Sequence, residues 1–272
     1  MNFARRRLGP AAARLLTLAW LAPSWVGMVA RASRAPLPAP AQALVIDFDA
    51  GSAPTMYAGQ GNEAAGVYPA LVRAAFASIG QPVLLRARPF KRMLSELSSG
   101  EAAAGAVVRT PERLAVADYS ADYFEEKVQV FQRADASWGF EHLPNLRGRR
   151  VGVIRGWSYG AAFDQARARQ EFLVEEVEND PQNFSKLANG RLDCVLATEM
   201  AGRVYLDRPE FAVLRARAKP LVVIGIALAV AKSQGQTALL RRFDAAMAAL
   251  HKSRAVEPLI EAEIQRARKT MP

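Results

Sequence analysis

Arg150-Val151-Gly152-Val153-Ile154-Arg155-Gly156-Trp157-Ser158-Tyr159 reads as a short apolar strand, a glycine turn and the opening of a helix. The apolar spacing carries that helix from about Tyr159 to Arg169. A strand–turn–helix unit this deep in a 272-residue chain marks the restart of a pattern that has already run once. Upstream, Leu44-Val45-Ile46 reads as a strand, and Gly51 to Gly66 as a loop rich in Gly, Ser and Pro. A helix follows through Val67, Leu71, Ala75 and Ile79, then a strand over Pro82–Ala87. Pro89 opens a helix that Gly100 closes, and Ala103–Val108 is a third strand. Glu126–Arg133 alternates charged and apolar residues and reads as an extended connection into the second unit.

Downstream of the decisive stretch come a strand at Phe172–Val177, a helix at Gln182–Ala188 and a strand at Leu192–Ala197. Leu221–Ala231 is a long apolar strand, and two helices follow at about Thr237–His251 and Val256–Arg268. Two α/β units joined by one extended strand, then by a second on the way back, predict two lobes crossed twice. Ligands in such sheets bind beyond the carboxyl ends of the strands, in a cleft between the lobes.

Composition narrows the function. The chain is 51% hydrophobic and 23% charged, which is globular. Its single cysteine, Cys194, permits no internal disulfide and no cysteine-based zinc site, and its apolar neighbours predict burial. With only two histidines, His142 and His251, the chemistry of a histidine-rich metal centre or a Ser-His-Asp triad is not expected, and both are read as structural. No metal and no cofactor are expected. The net charge is +10, of which residues 1–32 supply five arginines and no acid, leaving +5 for the remainder. That mild excess, with no basic face interleaved with aromatics, excludes a nucleic-acid partner.

Residues 1–32 read as a secretory signal: Arg5-Arg6-Arg7, an apolar run from Leu15 to Val29, then Ala30-Arg31-Ala32 as a cleavage site. A second triplet, Ala41-Gln42-Ala43, places cleavage as late as residue 43. The mature protein is therefore expected in the periplasm.

Four segments carry a family likeness: Pro89-Phe90-Lys91-Arg92; Arg109-Thr110-Pro111-Glu112-Arg113 with Asp118-Tyr119-Ser120; Leu146 to Gly156; and Asn189-Gly190-Arg191-Leu192-Asp193. In this order and spacing the chain resembles the bacterial extracellular solute-binding proteins of family 3. These are periplasmic receptors that deliver polar amino acids and related solutes to ABC importers. The resemblance implies an α/β, two-lobed periplasmic-binding-protein (type II) fold with a ligand cleft between the lobes. Lobe 1 is expected over 44–127 and 223–272, lobe 2 over 128–222. It implies a monomer that meets a small-molecule solute and ABC permease membrane subunits and performs no catalysis. Relatives include a cyclohexadienyl dehydratase, so a periplasmic lyase on the same fold is the alternative, and a ligand-sensing module is another.

The resemblance also implies that Arg113 holds the ligand's carboxylate. Its place just after the strand Ala103–Val108 agrees, and a guanidinium matches a carboxylate with two charge-assisted hydrogen bonds. The loop Trp157-Ser158-Tyr159 precedes a helix, whose free N–H groups favour an acid group. Ser158 serves there as a cap or as a ligand donor. Trp157 and Tyr159 stack on the ligand or pack between the lobes. Arg92 faces the cleft or solvent, and Tyr57 the cleft or its own loop. Asp193 is expected to satisfy backbone donors.

Amino-acid receptors of this kind offer the ligand's ammonium a carboxylate where this chain has Thr198, and small hydroxyl residues where it has Ala106 and Val108. Thr198 accepts one hydrogen bond but cannot neutralise a buried cation. The expected solute is thus a small organic anion, or a polar solute with at most a weakly held amine.

Overall fold

The computed structural model describes residues 43–270, and the export signal expected at the start of the chain lies outside them. Strand β1 (Leu44–Asp49) is buried from Ile46 to Asp49, as a strand covered on both faces must be. The stretch expected as an open loop instead forms a small antiparallel sheet of β2 (Gly51–Ser52), β3 (Met56–Ala58) and β4 (Ala64–Ala65). Its first turn is tied by the Thr55 hydroxyl, which donates to the Ser52 carbonyl at 2.7 Å.

Helix α1 (Val67–Ser78) buries Val67, Tyr68, Leu71, Val72, Ala75 and Phe76 along one stripe. Strand β5 (Val83–Arg88) leads to α2 (Phe90–Ser99), which starts after Pro89 and stops at Gly100, left-handed at φ 80°. In β6 (Ala103–Val107) a Cβ at Gly105 would lie 2.1 Å from the Phe48 ring, so only glycine lets β6 lie this close to β1. A short helix not foreseen, α3 (Pro111–Val116), begins where Thr110 accepts a hydrogen bond from the Arg113 N–H at 3.4 Å. Then come β7 (Ala117–Tyr119) and the ten-residue β8 (Phe124–Arg133).

The second unit runs β9 (Arg150–Ile154), α4 (Ala161–Ala168), β10 (Leu173–Val177), α5 (Asp180–Ala188), β11 (Cys194–Thr198) and α6 (Glu199–Tyr205). Strands β12 (Leu214–Ala216) and β13 (Val222–Ala231) follow, with helices α7 (Thr237–Lys252) and α8 (Val256–Thr270) closing the described chain. Helix α7 returns to the first unit, where Phe243 packs on Phe76 with ring centroids 5.1 Å apart.

The strand order is β10-β9-β11-β8-β13-β6-β1-β5. Each lobe has a parallel trio, β5-β1-β6 in one and β10-β9-β11 in the other. Both trios are joined through β8 and β13. These pair antiparallel from Val222↔Val128 to Ile226↔Phe124. Beyond that crossing β13 continues against β6 and β7, and β8 against β11 and β12. Each long strand therefore belongs to both lobes, and the carboxyl ends of β6, β9 and β11 converge on the space between them.

Candidate functional site

At that convergence lies a cavity lined by Val108, Arg113, Trp157, Ser158, Tyr159 and Thr198, all named from sequence; Arg92 and Tyr57 are not among its lining residues. Phe90, Glu126, Val128, Ile224 and Tyr68 share it. Its free volume is about 30 Å³, roughly one water's share of the liquid. The lobes are closed, and a solute of amino-acid size enters only when they part.

Arg113 bridges the closure. Its Nη1 donates to the Val108 carbonyl at 3.0 Å and its Nη2 to the Gly156 carbonyl, on the opposite lobe, also at 3.0 Å. The guanidinium lies over the Phe90 ring, 5.4 Å from its centroid. It also lines an outer groove of about 460 Å³ at the mouth of the cleft, with Glu112, Asp164 and Arg167. Among the described residues Arg113 has no carboxylate in an ion pair, and burial pulls its pKa below the usual arginine value.

Trp157 packs against hydrophobic clusters of both lobes. Its indole N–H donates at 3.1 Å to Asp49, at the end of β1. Burial pushes the Asp49 carboxyl up to about 6 although Trp157 and backbone N–H groups pull it back. Asp180, at the start of α5, is pushed to about 8 by burial and then by the charge of Asp49. Two acids from opposite lobes thus lie near enough for the charge of one to raise the other. Tyr159 offers its ring to the cavity, but its hydroxyl is turned into its own lobe and accepts the Ile154 N–H at 2.8 Å.

Several of the residues named from sequence are engaged elsewhere. At the mouth of α4 the loop's own polar groups are engaged with one another, although Gly160 puts no side-chain cap on the helix. Asp164 reaches back to accept the Ser158 hydroxyl and the Tyr159 N–H, and the Ser158 oxygen accepts the Gly160 N–H at 3.4 Å. Thr198 lines the cavity but spends its hydroxyl oxygen as the cap of α6, accepting the Ala201 N–H at 3.0 Å. Arg92 lies outside the cavity: its side chain is 66% exposed and pairs with Glu96, one turn further along α2, at 2.6 Å. Tyr57 is carried away by β3 to a separate groove of about 770 Å³. That groove is the larger space, but its cations are already paired, Arg73 with Glu63 at 2.6 Å and Arg266 with Glu263 at 2.8 Å.

The sequence reading missed Glu126, Tyr68, Phe90 and Asp49. Glu126 is 3% exposed, accepts the Tyr68 hydroxyl, and has no cation in an ion pair among the described residues. Burial, above all, raises its pKa to about 8. Cys194 is buried, and Asp193 accepts the Arg150 N–H at 2.7 Å, as read from sequence. His251 contacts the Tyr123 carbonyl at 3.1 Å.

Two lobes closing on a cavity at a double strand crossing define a type II periplasmic binding protein. The chain belongs to the bacterial extracellular solute-binding proteins, family 3, whose family model matches residues 44–262. Solved structures similar to it include a histidine kinase sensor domain with similarity to periplasmic binding proteins (TM-score 0.71, 22% identity, covering 81% of this chain and 95% of that one). An ancestral arginine-binding protein bound to arginine is similar at TM-score 0.70 and 21% identity, with 82% and 99% covered. The amino acid ABC transporter substrate-binding protein AbpA from Streptococcus pneumoniae, bound to L-arginine, is similar at 0.68 and 21%, with 82% and 94% covered. At these identities the likeness is one of fold. No curated protein compared with the chain matches it.

Proposed function

We propose that this chain works in the periplasm, after removal of its export signal, as the solute-binding component of an ABC importer. Its lobes, dividing near Lys127/Val128 and Val222/Val223, close on a small solute whose carboxylate is gripped by Arg113. The observation that carries this reading is the pairing of Arg113: a partly buried cation at the cleft mouth whose side-chain hydrogen bonds, among the described residues, go to two neutral carbonyls from opposite lobes. A carboxylate in their place would bring an opposite charge to a donor that is already ionised, and would match the planar guanidinium with two parallel bonds. Closure then follows from the ligand's higher affinity for the closed form, which permease subunits read.

The purified mature protein should show a melting temperature that rises with the concentration of one or a few small carboxylates in a panel of organic and amino acids. No shift with any of them would contradict the reading. Binding without chemistry is part of it, so prephenate and arogenate should yield no aromatic product.

The similarity to a histidine kinase sensor domain favours a second reading, in which a separate receptor senses the closed form. Loss of the protein would then abolish a transcriptional response to the solute and leave its uptake unchanged.

A further inference from the structure

We infer that Glu126, on the crossing strand β8, receives the ammonium group of a zwitterionic solute whose carboxylate is held by Arg113. This rests on the carboxylate-capture reading above and adds the other half of the ligand.

Even-numbered Glu126, Val128 and Val130 are buried, whereas Glu125 and Lys127 are exposed. Glu126 therefore points inward, into the cavity that Arg113 also lines. It sits where β8 pairs with β13, opposite Ile224, so it belongs to the hinge rather than to either lobe's rim.

A carboxylate taken out of water without a cation is costly, and proteins ordinarily supply one. Here the surroundings do the reverse. Helix α1 contributes the Tyr68 hydroxyl, α6 the acid Glu199, and the start of α5 a further acid, Asp180, itself raised to about 8. Strands β11 and β13 contribute Thr198, Ile224 and Ile226 to the cavity, none of them charged. Lys127, the next residue along, turns outward and pairs with Glu199 at 3.4 Å. Glu126 and Arg113 are thus two groups of opposite type, in one cavity, each lacking a counter-ion among the described residues.

The consequence is a proton-coupled capture. At pH 7 the Glu126 carboxyl, held at about 8, is mostly neutral in the closed protein. An arriving ammonium supplies the missing positive charge. The carboxyl then loses its proton to solvent and pairs with the ammonium, while the Tyr68 hydroxyl goes on donating to it. One proton is released for each zwitterion bound. The expectation of an organic anion, or of a solute with at most a weakly held amine, rested on Thr198, Ala106 and Val108; here the carboxylate enters from a different strand.

Calorimetric titration of the mature chain tests this. The probes are α-amino acids and straight-chain ω-amino acids, each beside the carboxylic acid of the same skeleton without its amine. Wild type and Glu126→Gln are compared at pH 6, 7 and 8, in two buffers of different ionisation heat. At least one amino acid should bind wild type more tightly than its deamino partner, with proton release. Its affinity should rise with pH, at most about tenfold per unit for a single proton. Glu126→Gln, which keeps a partner for Tyr68, should weaken that amino acid about tenfold to a hundredfold, as loss of a charged hydrogen bond does. The same variant should lose the proton release and leave the deamino acid's affinity unchanged, which also shows that it is folded. The inference is overturned, with carboxylate capture intact, if deamino acids bind as tightly as their amino acids, or if Glu126→Gln keeps wild-type affinity and pH slope. If wild type binds neither member of any pair, the carboxylate reading itself fails, and this one with it.

Discussion

Two carboxylates in neighbouring parts of the fold, Glu96 and Glu126, show how differently one side chain can be used. Glu96 sits on α2 in a closed cluster. Arg86 reaches Asp47 at 2.7 and 3.0 Å and Glu96 at 2.5 Å, and Arg92 reaches Glu96 at 2.6 Å. Arg88 adds a third guanidinium, 3.7 Å from Glu96, so cations surround both acids. Hydrogen bonding to Asp47 and then to Arg92, helped by the charges of Arg86 and Arg92, holds the Glu96 carboxyl down at about 2. Glu126 is buried to a similar degree, but its neighbours are a hydroxyl and further acids, and its carboxyl is pushed up to about 8. The first cluster is complete and welds β1, β5 and α2 together. In the cavity, Glu126 and Arg113 are each left half-answered, which is the arrangement a ligand can complete.

The sharpest way to break this contrast is to neutralise each acid and measure urea unfolding. Glu96→Gln takes the anion from Arg92 while Arg86 keeps Asp47, and should cost about 2 kcal/mol, as loss of hydrogen bonds to a charged group does. Glu126→Gln replaces a buried acid that has no cation partner among the described residues and is mostly neutral at pH 7, and should cost little or stabilise. Equal losses would erase the distinction.

A smaller effect appears in the pH dependence. What Glu96 contributes is present above its ordinary value of 4.5 and is lost as pH falls towards 2. Glu126, Asp180 and Asp49 have raised values, about 8, 8 and 6. Their contribution is full below the ordinary carboxyl range and is lost as pH rises through those values. Between pH 5 and 8 stability should therefore fall with rising pH, by at most about 1.4 kcal/mol per unit for each group still protonated in the folded state. Glu126→Gln and Asp180→Asn should each flatten the slope. A wild-type profile flat over that range would contradict the unanswered-acid account. The smallest effect belongs to Arg92→Ala, which removes a mostly exposed partner and should cost under about 1 kcal/mol. Solute capture should be unchanged in it.

Much of the architecture was legible because burial on both faces writes continuous apolar runs such as Leu44–Ile46 and Leu221–Ala231. The short pieces were not: β2–β4 span two or three residues each and α3 only six, too few for a period to show. Arg113 was visible as a residue just beyond a strand end, and Trp157 as one in a strand–helix turn. Arg92 illustrates the opposite case, since its position on α2 did not reveal that Glu96 already claims it. The contact of Trp157 with Asp49 spans 108 residues and leaves no local trace. Glu126 did leave one. It shares the parity of Val128 and Val130, yet a charge in an alternating strand is ordinarily read as solvated.

The central claim concerns Arg113, and titration of Arg113→Ala beside Arg92→Ala tests it most directly. The probe is whichever carboxylate shifts the wild-type melting temperature. Arg113→Ala should bind it about a hundredfold or more weakly, the loss expected for a desolvated bidentate pair, while unfolding at nearly the same urea concentration as wild type. Arg92→Ala should bind it as wild type does. If Arg113→Ala retains wild-type affinity, the carboxylate is held elsewhere and the account is wrong.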